Sequence, residues 1–141
     1  MAASNQYLAH LADVPLFSSC SKRDLQKIAR AADELTVEEE REIVTQGATG
    51  REAFVVVDGR VTVKRNGRRV TSLGPGACFG ELALLDGGPR TASVVTETPT
   101  TLLVIGQREF AGLLDEVPGL AHKILTALAA RVRELDAKIY P

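Results

Sequence analysis

Apolar and polar positions follow three rhythms along the chain. From residue 5 to about 33 the apolar positions recur at helical spacing. Leu25, Ile28 and Ala32 lie three and four residues apart, and Ser21 with Asp24 three residues on is a capping pattern that would open a helix. From 34 to 106 the rhythm shortens. "ELTVEE", "EIVTQG", "AFVVV", "RVTVKR", "RRVTSL", "TASVVTE" and "TTLLVI" are β-branched runs divided by turn signals. Asp58-Gly59 and Asn66-Gly67 read as hairpin turns, because Asn, Asp and Gly tolerate positive φ. From 107 the helical period returns. "QREFAGLLDE" is a short helix, and Pro118 opens a longer one that runs to about Tyr140. Many short strands at close spacing predict a sandwich or small barrel. The expected fold is therefore mainly β with flanking helices, a single domain over residues 1–141.

Composition narrows the partners. The chain has 141 residues, 45% of them hydrophobic and none of them Trp, so aliphatic side chains must fill the core. Its 17 basic and 18 acidic residues nearly cancel, a poor match to nucleic acid or to an anionic membrane. The basic tip "KRNGRR" has no interleaved aromatics and reads as a solvated hairpin end. The N-terminus lacks the basic start and apolar run of a signal peptide, and no apolar stretch approaches the roughly 20 residues of a membrane span. Cys20 and Cys78 lack metal-ligand spacing and read as reduced thiols of a cytoplasmic protein, with Cys78 a candidate for modification. His10 and His122 fall in helical segments with no nucleophile beside them. No catalytic residue, metal or cofactor is expected.

One window breaks the pattern: "GACFGELALLDGGPRTASVV", residues 76–95. Gly74, Gly76 and Gly80 let the backbone approach a ligand. "ELALLD" can make a short helical turn whose first N–H groups would face an anion. Arg90 offers a planar fork of donors for phosphate oxygens, and Glu81 an acceptor for sugar hydroxyls. Together they describe a ligand with a phosphate and a ribose. A Walker A loop is excluded by the missing Gly-Lys-Ser/Thr ending, and the dinucleotide fingerprint by glycine spacing and the all-β setting. A plainer reading stays open, in which Glu81 and Arg90 pair to tie down a tight turn.

The run "FGELALLDGGPRTASV" closely resembles the phosphate-binding cassette of cyclic nucleotide-binding domains, the sensors of catabolite activator proteins, of regulatory subunits of cyclic AMP-dependent protein kinase and of cyclic nucleotide-gated channels. "VPLFSSCSKRDL", "FVVVDGRVTV", "VTSLGPGACFGE" and "REFAGLLDEVPGL" are similar to the family's leading helical segment, β-roll and hinge helix. The similarity spans nearly the whole chain. It implies a jelly-roll-like β-roll with the cassette at 79–92. It implies that Arg90 binds the exocyclic phosphate oxygens and Glu81 the ribose 2′-hydroxyl. Backbone N–H groups of Gly80, Ala83 and Ala92 would complete the cage, and Leu82 and Val63 would line the pocket near sugar and base. Thr91 would reach the phosphate or the amino group of a syn guanine, which leaves cyclic AMP and cyclic GMP both open. Cyclic AMP is preferred because the pattern looks like bacterial regulators. Many members support the arginine with an acidic residue after a Gly ahead of "FVV". Here that stretch reads Gly50-Arg51-Glu52, with Glu52 as the substitute.

On the long helix Ala121, Leu125, Leu128, Val132, Leu135 and Ile139 repeat at alternating spacings of four and three. With Val132 and Ile139 at a, and Leu128 and Leu135 at d, the stripe suits a parallel homodimer. Arg131 at g and Asp136 at the following e would pair across it. Leu120, Ile124 and Ala127 form a second face for packing on the roll. By resemblance the helix also caps the base, with His122, Arg131 and Arg133 as candidate lid contacts. The expected function is a sensor that binds a cyclic nucleotide without turning it over and repositions its C-terminal helices. Its target would be an effector protein or a covalently attached effector domain. The chain ends at "ELDAKIYP" with no helix-turn-helix, so nucleic acid is not an expected partner. The alternative is a ligand-free dimeric scaffold with a vestigial cassette.

Overall fold

The computed structural model describes residues 7–139. Its N-terminal helical segment comes in three pieces: α1 (Leu8–Ala12), a 3-10 turn at Pro15–Phe17, and α2 (Lys22–Ala31). Pro15 prevents α1 from continuing, because the residue before a proline avoids the helical region; Val14 is extended, with ψ 123°. The capping pattern at α2 is real. Ser21 Oγ accepts the Asp24 N–H and Asp24 Oδ2 accepts the Ser21 N–H, both at 3.1 Å. Positions 5 and 6 of the expected helical segment lie outside the described residues.

Eight strands follow: β1 (Asp33–Val37), β2 (Glu42–Val44), β3 (Glu52–Asp58), β4 (Val61–Arg65), β5 (Arg68–Leu73), β6 (Cys78–Phe79), β7 (Ser93–Thr96) and β8 (Thr100–Gly106). A short α3 (Leu82–Asp86) separates β6 from β7. The strands form two four-stranded sheets, ordered β1-β8-β3-β6 and β2-β7-β4-β5, with antiparallel pairing throughout. Asn66-Gly67 makes the expected hairpin between β4 and β5, with φ of 55° and 77°. Asp58-Gly59 does not. β3 and β4 belong to different sheets, so this turn carries the chain from one sheet to the other. Gly59 has φ +91°, and a Cβ there would sit 2.5 Å from the Pro99 carbonyl oxygen.

β3 shows where the core sits. Its five central residues are all buried, unlike the alternation of a sheet with one wet face. Ala53, Val55 and Val57 join Leu103, Ile105 and the apolar residues of the helices in one cluster. Phe54 and Val56 point into the roll and join Val61, Phe79, Val94 and Leu102 in a second. One sheet therefore carries apolar side chains on both faces. The second sheet covers one face and the helices the other, each buried Leu or Ile contributing about 1.5–3 kcal/mol.

After β8 come α4 (Gln107–Glu116) and α5 (Leu120–Ile139). α5 starts two residues after Pro118, because Gly119 at φ +79° bends the chain first; Tyr140 lies outside the described residues. Leu120 and Ile124 are buried, as the second face requires, and Leu128 packs against the same cluster. Lys123 Nζ lies 2.7 Å from Asp24 Oδ2 and ties α5 to α2. Leu125, Val132, Leu135 and Ile139 are 53–68% exposed. Among the described residues, no helix is long and apolar enough to cross a membrane.

Candidate ligand-binding site

The cassette is held by backbone bonds to the β2–β3 loop. The Arg90 N–H donates to the Ala48 carbonyl at 2.8 Å, and the Gly47 N–H donates to the Arg90 carbonyl at 2.8 Å. With its backbone fixed on both sides, the Arg90 side chain runs inward along a slot with two glycine walls. A Cβ on Gly50 would lie 2.4 Å from Arg90 Nε, and one on Gly80 would lie 2.5 Å from Arg90 Nη1. Gly80 also has φ +77°, a conformation that disfavours any side chain.

At the end of the slot, Arg90 Nη1 donates to the Glu52 carbonyl at 2.7 Å and to the Gly80 carbonyl at 3.5 Å. The guanidinium carbon lies 5.7 Å from the centroid of Phe54, which itself stacks on Phe79 at 5.1 Å. The expected partner, Glu52, thus supports Arg90 through its main chain. Burial pushes the guanidinium below its ordinary value and the Glu52 charge pulls it back up; an arginine remains a cation throughout. Glu81 and Arg90 do not pair with each other. Glu81 Oε1 instead lies 3.1 Å from Arg131 Nη1 of α5. The plain turn-tying pair is therefore absent, and in its place Glu81 ties the cassette to α5.

A cavity of about 390 Å³ opens beside these groups, a size common for small-molecule sites. Its lining includes Val63, Gly80, Glu81, Leu82, Ala83, Arg90, Thr91 and Ala92. Of the three candidate lid residues, Arg131 lines it, whereas His122 and Arg133 do not. The Ala83 N–H closes the first turn of α3 on the Gly80 carbonyl at 3.2 Å. Cys78 Sγ lies 3.9 Å from Glu81 Oε2. Burial, and secondarily the Glu81 charge, push the Cys78 thiol far above its ordinary value. That shift disfavours the thiolate, the form that modification needs. A second cavity of about 580 Å³ between the 3-10 turn and α5 shares Cys78, Glu81 and Arg131 with the first.

Several contributors have no signal in the cassette motif. Gly50 reads as an ordinary turn glycine in the sequence. Arg65 and Leu73 also line the cavity. For Arg65 the period of β4 was the available signal, since it follows Val61 and Val63 at two-residue steps.

A β-roll that gathers Arg90, Glu81 and the first turn of α3 around one cavity has the layout of a small-ligand binding domain. The chain belongs to the cyclic nucleotide-binding domain family, whose model matches residues 34–117. It is 36% identical over 102 residues to the cyclic AMP receptor protein of Thermus thermophilus, across 69% of this chain and 47% of that protein. It is 38% identical over 122 residues to a cyclic nucleotide-gated potassium channel of Rhizobium etli, across 86% of this chain and 34% of the channel. The chain thus spans less than half the length of these two relatives. Among solved structures, the N-terminal domain of a transcriptional regulator from Streptomyces coelicolor matches with a TM-score of 0.81 at 29% identity, covering 88% of this chain and 90% of that one.

Proposed function

We propose that the chain is a non-catalytic cyclic AMP sensor, one domain working in the cytoplasm of a bacterium on an effector protein or an attached effector domain. The observation that carries this reading is Arg90. It is held in a two-glycine slot, faces a ligand-sized cavity, and within 4.0 Å has no carboxylate partner among the described residues. A phosphate would supply the missing negative charge through the donors that the two carbonyls leave free. The ribose 2′-hydroxyl would meet Glu81, and the base would lie toward Val63 and Leu82. The Gly80 and Ala92 amides complete the cage, and Ala83 joins by sharing its turn proton. Thr91 serves phosphate or base. Cyclic AMP is preferred over cyclic GMP because the Thermus relative is named a cyclic AMP receptor.

Glu81 already holds Arg131, so ligand entry and the position of α5 draw on one carboxylate. Ligand then shifts the population of α5 positions by its difference in affinity for them. A second reading, a ligand-free dimeric scaffold, draws on the same pair and on the exposed Leu125, Val132, Leu135 and Ile139.

Calorimetric titration of the wild type and Arg90→Ala with cyclic AMP and cyclic GMP tests the proposal. The wild type is expected to bind cyclic AMP more tightly, and Arg90→Ala to lose about 1.5–3 kcal/mol, the worth of a hydrogen bond to a charged group. No binding by the wild type at millimolar ligand would leave the scaffold reading in its place.

A further inference from the structure

A second guanidinium faces the cavity, and no role in the proposed site uses it. Arg65 is the last residue of β4, is exposed, and lines the cavity. Val63, two residues before it on β4, lines the same cavity, as side chains two apart on a strand share a face. Its Nε donates to the Thr91 carbonyl at 3.2 Å, next to Arg90 in the chain. That bond aims the guanidinium at the cassette and leaves both terminal nitrogens for another acceptor. Like Arg90, Arg65 has no carboxylate within 4.0 Å among the described residues.

The strand end that carries Arg65 is fixed by its neighbour. The Asn66 N–H donates to Gln46 Oε1 at 2.8 Å, and Gln46 Nε2 donates to Asn66 Oδ1 at 3.0 Å. The Gln46 N–H in turn donates to Ser93 Oγ at 2.8 Å. This clasp holds the β4–β5 tip against the β2–β3 loop, so Arg65 stands over the cavity without a ligand to order it. Three arginines line the cavity in all, against one carboxylate that Arg131 already engages. The cavity thus presents two cations, Arg65 and Arg90, with no carboxylate partner among the described residues.

We infer that Arg65 is a second phosphate-binding arm, which takes the anionic oxygens of the nucleotide together with Arg90. This rests on the proposed nucleotide site. Because Arg65 is exposed, its contribution is screened by salt and falls largely on ligand capture.

The test compares wild type, Arg65→Gln and Arg65→Lys by titration with cyclic AMP at about 0.05 M and about 0.5 M salt, with Arg90→Ala alongside. Arg65→Gln is expected to bind about fivefold more weakly at low salt, with the gap closing at high salt. Arg65→Lys keeps the charge but loses the fork, and is expected to fall between the two. Arg65→Gln binding like wild type at both salts, while Arg90→Ala fails, would overturn the inference and leave the sensor reading intact. So would equal losses in Arg65→Gln and Arg65→Lys with no salt dependence, because Arg65 would then only position Thr91. Melting curves of the free variants exclude misfolding as the cause.

Discussion

Arg90 owes its position to residues that lack side chains or use only their main chain. Gly50 and Gly80 leave the slot, the Glu52 carbonyl anchors its end, and Phe54 closes the inner face. Gly50→Ala therefore puts a methyl group where Arg90 Nε and Cζ now lie, at 2.4 and 2.5 Å, and the arginine has to leave. Its expected effect is a loss of cyclic AMP affinity of at least about tenfold, the worth of one hydrogen bond to a charged group, with a melting temperature near that of wild type. Titration and thermal melting of the same variant check both halves. At this scale the sequence was readable where chemistry is written in side chains: Arg90, Glu81 and Thr91 stand in one window and line one cavity. Gly50 was not readable, because a slot is a space and its wall comes from a loop 40 residues upstream. Glu52 pointed to the right residue through the wrong atoms, since a carbonyl oxygen has the same identity at every position.

Helix α2 is pinned twice by one carboxylate, Asp24, which caps its own helix and holds Lys123 of α5. The hydrogen bond from Lys123 holds the Asp24 carboxyl below its ordinary value, with burial opposing. A lowered carboxyl contributes stability above its unfolded-state value, near about pH 4, and loses it as pH falls through the lower folded value. Lys123 is raised by the same bond, so its share is present below about pH 10 and lost as pH rises through its folded value. Melting temperatures measured against pH are expected to drop on acidification below about pH 4, and Asp24→Asn to flatten that limb. The elements themselves were mostly legible. The expected "QREFAGLLDE" helix coincides with α4, and the capping pair opens α2 where the spacing put it. What escaped notice was short: β6 has two residues, too few for any period, and the 3-10 turn merges with the helical pattern around it.

For the molecule as a whole, the exposed α5 residues predict self-association. In sedimentation the wild type is expected to be a dimer and Val132→Glu a monomer, because a charge would then enter the a-position seam. Long-range pairing was the least legible level. Asp58-Gly59 has a hairpin's composition but changes sheets, and nothing local states which sheet comes next. Glu81 and Arg131 meet across 50 positions of sequence. β3 has a consequence at this scale. Phe54, under Arg90, and Val55, against the helical cluster, are adjacent residues on opposite faces of one strand. The cavity beside Arg90 and the helical layer are party to a single wall, one peptide thick. A close-packed interior passes displacement on rather than absorbing it. A displacement at Arg90 is therefore expected to cross that wall into the cluster that also holds Phe110 of α4 and Leu120 of α5.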